Sequence, residues 1–238
     1  MKLASDTQQM QKRKAWEVAV SRRLAWIGLP IILLWLALAN GFFDSNFDAI
    51  GWNFSDGLWV LVGASSLALA LFFRQAGCAP AGKTQTCFDG AAVVLMGAGV
   101  GVVSYIGTNE PEIYLIGAVA AALGSSWLLL RRGAALSELP YAELLHVMAV
   151  SALVLATLKA LFRLCSLSVV MLAVILIALS LVSCLCLRAV GDVSRRKYIF
   201  YLRGDHKSLG FVVVFVLFFS IVLKLIDILT SPFEPSPI

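Results

Sequence analysis

Two groups of residues in this sequence have types and spacings that could do chemistry. The first is Gly77-Cys78-Ala79-Pro80-Ala81-Gly82-Lys83-Thr84, which satisfies G-x-x-x-x-G-K-[ST]. In that pattern backbone N–H groups wrap phosphates, the Lys reaches the terminal phosphates and the Thr holds magnesium. The chemistry needs a buried strand before the loop and a helix after it. Here one apolar run ends at Phe73 and the next begins near Gly90, no acidic residue closes an apolar strand, and Pro80 interrupts the loop. The segment is read as a turn between two helices, and no nucleotide is expected to bind it.

The second group is a set of charges inside apolar stretches, where an ionisable side chain is costly and marks a candidate site. Lys159 and Arg163 stand at i, i+4, on one face of a helix, and Lys224 and Asp227 stand at i, i+3. All four fall toward the same end of their runs. The expectation is one polar cluster of Lys159, Arg163, Lys224 and Asp227 that takes a small anionic ligand. The competing reading is snorkelling of Lys and Arg to the interface, with a Lys224–Asp227 pair inside one helix. His146 is read as a packed or hydrogen-bonded histidine rather than a proton relay.

No G-x-S-x-G, no H-E-x-x-H and no Ser/Lys pairing at a defensible spacing occurs, so no catalytic residues are expected. The cysteines, Cys78, Cys87, Cys165, Cys184 and Cys186, form no C-x-x-C, and His146 and His206 are the only imidazoles. That composition argues against a zinc site or a disulfide framework, and neither metal nor cofactor is expected.

The elements that must position these residues are membrane helices. The 238 residues are 60% hydrophobic and 14% charged, with a mean hydropathy of +0.89. A soluble domain runs at about 45–50% apolar and about 25% charged, so a soluble enzyme, a disordered chain and a coiled coil are all disfavoured. Seven apolar runs recur, at 24–40, 57–73, 90–107, 113–130, 144–162, 164–187 and 209–229. Each is near the length a bilayer needs, and lipid leaves a lone segment no other way to satisfy its backbone than a helix. The fold class predicted is all-α, a polytopic membrane bundle of seven transmembrane helices over 24–229, with a basic lead at 1–23 and a short tail at 230–238.

Lys and Arg fall unevenly between alternate loops. One side, 1–23, 74–89, 131–143 and 188–208, carries 16 of them, and the rest of the chain carries 3. The richer side is cytoplasmic by the positive-inside rule, which places the N-terminus inside and the C-terminus outside. This distribution also accounts for the net charge of +5 without nucleic acid. Ala37-Leu38-Ala39 has the form of a signal-peptidase site, but its basic lead is long, and the first run is expected to stay as an anchor. Phe42, Phe43, Trp52, Trp59 and Tyr114 read as an aromatic belt at the outer interface. The loop 188–208 reads as a basic, aromatic connector on the inner leaflet.

Small residues mark where helices pack closely. Gly97 and Gly101 make a G-x-x-x-G pair in the third run, and Gly117 and Gly124 continue the theme in the fourth. All four are expected to pack helix on helix, either within one bundle or across a dimer.

The stretch Leu115-Ile-Gly-Ala-Val-Ala-Ala-Ala-Leu-Gly-Ser-Ser-Trp127, with Arg131-Arg132, Leu139-Pro140 and the second-run Gly63-Ala-Ser-Ser-Leu-Ala-Leu-Ala-Leu71, resembles the membrane half of LuxR-type transcription regulators. In that family a transporter-like bundle of about twelve spans precedes a cytoplasmic helix-turn-helix. The likeness covers about half of the chain and implies a sensory bundle. No helix-turn-helix follows the seventh run, and Arg74–Asp89 stands where major-facilitator transporters carry a G-x-x-x-D-R-x-G-R-K type loop, so DNA binding is not carried over. The function expected is a non-enzymatic sensory or ligand-binding module of a bacterial-type inner membrane, with a small permease or half-transporter as the alternative. The partners expected are the bilayer, a second copy or second membrane half, and a small anionic ligand.

Overall fold

A computed structural model describes residues 27–43, 57–76, 82–106, 110–136, 141–164 and 168–190. All described secondary structure is helical: α1 (Ile27–Phe43), α2 (Gly57–Ala76), α3 (Lys83–Ile106), α4 (Pro111–Leu136), α5 (Tyr141–Leu164) and α6 (Val169–Val190). The lead 1–23, the seventh run 209–229 and the tail 230–238 lie outside the described residues. Three helices contain segments long and apolar enough to cross a membrane, Lys83–Tyr105, Pro111–Gly133 and Val169–Arg188. The chain is thus a helical membrane protein. The apolar parts of α1, α2 and α5 are shorter. Ile27–Phe43 is 17 residues, about 25 Å of helix against a hydrocarbon layer of about 30 Å.

Local sequence explains where the helices start. Pro111 occupies the first position of α4, where its missing N–H costs nothing, and Glu112 complements the positive end of the helix dipole. Ser168 caps α6: its hydroxyl accepts from Met171 N–H at 3.3 Å, and its carbonyl accepts from Leu172 N–H at 3.0 Å. Gly82 precedes α3 with φ of 58°, a left-handed conformation that glycine adopts without a Cβ penalty.

α4 lies at the centre, packed on α2 and on α3, and α3 packs in turn on α6. The α3–α4 contact moves from Gly99–Gly117 to Ala92–Gly124 to Asp89–Arg131, rising along one helix as it falls along the other, so the two run antiparallel. Their closest approach is at glycines. A Cβ on Gly124 would run into the Ala92 carbonyl and meet Met96 N at 3.1 Å; one on Gly117 would meet Gly99 O at 3.1 Å. A Cβ on Gly99 would meet Ala121 Cβ at 2.9 Å. Gly97 and Gly101 are different. A Cβ on either meets nothing within 4 Å among the described residues. Each is two residues, about 200° of helix turn, from Gly99, so the residue between them holds the seam while they face away from it.

The aromatic residues assigned to a belt are largely internal. Phe42, Phe43 and Tyr114 are buried. The Phe43 and Tyr114 rings meet edge-on at 6.1 Å, and the Tyr114 hydroxyl donates to the Phe43 carbonyl at 2.6 Å, closing the end of α1 onto the start of α4. Trp59 is partly exposed, and Trp52 lies outside the described residues.

Candidate functional site

The helices extend past their apolar runs, and this changes the chemistry of one end of the bundle. α3 begins at Lys83 rather than Gly90, α4 continues through Arg131 and Arg132, and α6 reaches Arg188. Residues read as loop charges from hydropathy therefore sit on helices. Asp89 is 2% exposed, Arg131 7% and Arg132 1%.

Asp89 is the hub. Arg131 grips it side-on, with Nε donating to Oδ1 and Nη2 to Oδ2, each at 3.3 Å. Trp127, one turn earlier on α4, donates its indole N–H to Oδ1 at 2.8 Å. The Asp89 carbonyl accepts from the Cys184 thiol of α6 at 3.8 Å. One residue of α3 thus ties three helices. Phe73 and Phe88 pack on the Trp127 ring at centroid distances of 5.5 and 5.1 Å. Two charges so buried are costly to dehydrate, and their matched hydrogen bonds are what offset that cost.

Arg132 is held differently. Its Nη2 donates to the Ser183 carbonyl of α6 at 2.8 Å, while Nε and Nη1 meet no hydrogen-bond partner among the described residues. The guanidinium lies against Gly28 of α1, where any Cβ would overlap it, and the Cys186 side chain is beside it.

Next to the Asp89–Arg131 pair is a cavity of about 450 Å³. Among the described residues its polar wall is Lys83, Gln85, Thr86, Asp89, Arg131 and Arg188, three cations to one carboxylate. Arg188 leans over α3, its Nη2 4.0 Å from where a Gly90 Cβ would stand. The Thr86 hydroxyl is occupied, donating to the Gly82 carbonyl at 3.3 Å. The arrangement can attract and hold an anion.

The residues singled out from sequence are distributed as follows. Lys224 and Asp227 lie outside the described residues. Lys159 and Arg163 fall within α5, but their side chains lie outside what is described, so the four are not placed relative to one another. His146 is exposed on α5. Of the G-x-x-x-x-G-K-[ST] segment, Gly82 is a turn and Lys83 opens α3, while 77–81 lie outside the described residues; the element before it, α2, is a helix and not a strand. The described cysteines Cys87, Cys184 and Cys186 are free thiols. Among the described residues no group of three or more His, Cys, Asp or Glu side chains is placed to hold a metal.

Sequence reasoning missed Asp89, Trp127, Arg131 and Arg132 as a site. The readable signal was the antiparallel pairing of neighbouring helices, which brings an acid near the start of one to a base near the end of the next. No protein family, curated protein or solved structure matches the chain.

Proposed function

We propose that this chain is a non-enzymatic, multi-pass inner-membrane protein whose bundle of seven transmembrane helices binds a ligand and reports its presence, as the resemblance to the membrane half of LuxR-type regulators implies. The observation that carries this reading is the cavity beside Asp89 and Arg131. Its wall includes both members of the ion pair joining α3 to α4 and two residues of α6, Leu187 and Arg188. A ligand seated there acts on the contact that sets how these helices pack, the physical requirement for a sensor. The 16-to-3 division of Lys and Arg supports an N-terminus and a cavity on the cytoplasmic side and a C-terminus outside.

The full chain, reconstituted in vesicles, tests both parts. A panel of inorganic phosphate, citrate and ATP, each followed by thermal unfolding, is expected to include a saturable stabiliser whose effect is lost in Arg188→Gln, with no accumulation of that anion inside the vesicles. Saturable uptake would overturn the binding reading in favour of a permease. Orientation is checked by alkaline phosphatase fusions: active after Ile238, inactive within Arg195–Lys207.

A further inference from the structure

The cavity at the basic end combines charge, donors and depth. Among the described residues of its wall, the cations Lys83, Arg131 and Arg188 face a single carboxylate, Asp89, which is already taken by Arg131 and Trp127. Lys83 and Arg188 have no carboxylate partner among the described residues. The wall at Gly82 and Lys83 is also the first turn of a 24-residue helix, whose leading N–H groups have no acceptor within the helix. Those groups and the helix dipole favour negative charge at that position.

Depth narrows the class of anion. Lys83, Gly133 and Arg188 are terminal residues of the three apolar segments. The cations therefore stand where an apolar span meets the polar layer, the level of phospholipid headgroups. Beneath Arg188 on α6, Leu185 and Leu181 continue the same face at i−3 and i−7, 61% and 50% exposed. That is a basic pocket with an apolar stripe running from it toward the bilayer centre.

We infer that this cavity binds a phosphate group, that of an anionic lipid headgroup, whose acyl chains lie along Leu181 and Leu185; the inference rests on the ligand-binding reading and names its ligand. Phosphate offers several acceptor oxygens in a tetrahedral array. These match a planar guanidinium from Arg188, a mobile ammonium from Lys83 and the helix N–H groups at once. Basic pockets between membrane helices take lipid phosphates in this way. The chemistry differs from that of a nucleotide loop, because Thr84, which would hold the magnesium, is exposed and outside the cavity wall.

The test uses the full chain purified in neutral detergent and titrated with phosphatidylglycerol, phosphatidylcholine, inorganic phosphate or citrate while thermal unfolding is followed. Phosphatidylglycerol is expected to stabilise saturably and phosphatidylcholine far less. Lys83→Gln with Arg188→Gln should weaken phosphatidylglycerol about 30-fold, roughly fivefold for each cation. Arg195→Gln with Arg196→Gln, which removes the same charge from the segment 191–208, should leave it unchanged. If inorganic phosphate alone saturates, with the same dependence on Lys83 and Arg188, the phosphate group is supported and its source is soluble. If neither phosphate source stabilises the chain, or both double variants lose binding equally, the inference is overturned. A citrate effect that disappears in Arg188→Gln would in that case leave the ligand-binding reading standing.

Discussion

The seam between α3 and α4 is held in two ways along its length. Around Gly99, Gly117 and Gly124 it is a contact of backbone on backbone, with no charge and no room for a methyl group. Two turns away, at Asp89 and Arg131, it is a contact of side chains, made by an ion pair, an indole and two phenyl rings. The first stretch gains from dispersion and cannot rearrange without separating the helices. The second depends on partners that another anion can compete for. A bundle built in this way has a close-packed middle and one end joined through charge.

The comparison can be broken first at the charged end. Asp89→Ala leaves Arg131 buried without its anion and is expected to cost about 3–5 kcal/mol of unfolding free energy, measured in micelles. Replacing both partners, Asp89→Leu with Arg131→Met, should recover most of that loss, since no charge is then left uncompensated. If the double variant is as unstable as the single one, the pair is not what holds this end.

At the close-packed stretch, Gly124→Leu drives a side chain into the Ala92 carbonyl and the Met96 backbone, neither of which can swing aside. A loss near the top of the ~1–3 kcal/mol range for overpacking is expected, with no dependence on added anions. At the far end of α4, Tyr114→Phe removes the bond to the Phe43 carbonyl while keeping the ring contact, and should cost about 1 kcal/mol. The smallest effect sharpens the contrast. Gly101→Ala, in the motif that looked most like a packing signature, should change stability by no more than about 0.5 kcal/mol, because the added methyl meets open space. A large loss there would show that this face is covered, either by a part of the chain outside the described residues or by a second copy.

How much of this could be read from the sequence depends on what hydropathy measures. Runs 57–73, 90–107 and 113–130 mark α2, α3 and α4 in the right order and as helices. Their ends were misplaced for a physical reason: an apolar run stops at the first charge, whereas a helix stops where its backbone hydrogen bonds do. Lys83, Asp89, Arg131, Arg132 and Arg188 all fall between those two limits, and the candidate site is made of them. The face of a helix is harder still to read when nearly every residue is apolar. α1 buries Ile32, Leu33, Leu34, Trp35 and Leu36 in succession, so it is enclosed on all sides. α6, with a similar composition, exposes Val170, Val174, Leu181 and Leu185 and buries Ser180 and Ser183. A sequence with no polar face gives no direction, and Gly97 and Gly101 look as much like a seam as Gly117 and Gly124 do.

The half-bonded guanidinium of Arg132 also has a consequence for how the protein is made. Its carbonyl acceptor, Ser183, belongs to α6, which leaves the ribosome well after α4. Until α6 arrives, Arg132 lacks its Ser183 acceptor and can keep its water by reaching to the bilayer surface. Gly28, made much earlier, already provides the flat surface on which the charge will rest. Dehydration of this cation is therefore postponed from insertion to assembly, and the docking of α6 becomes the step at which the bundle commits to its final packing.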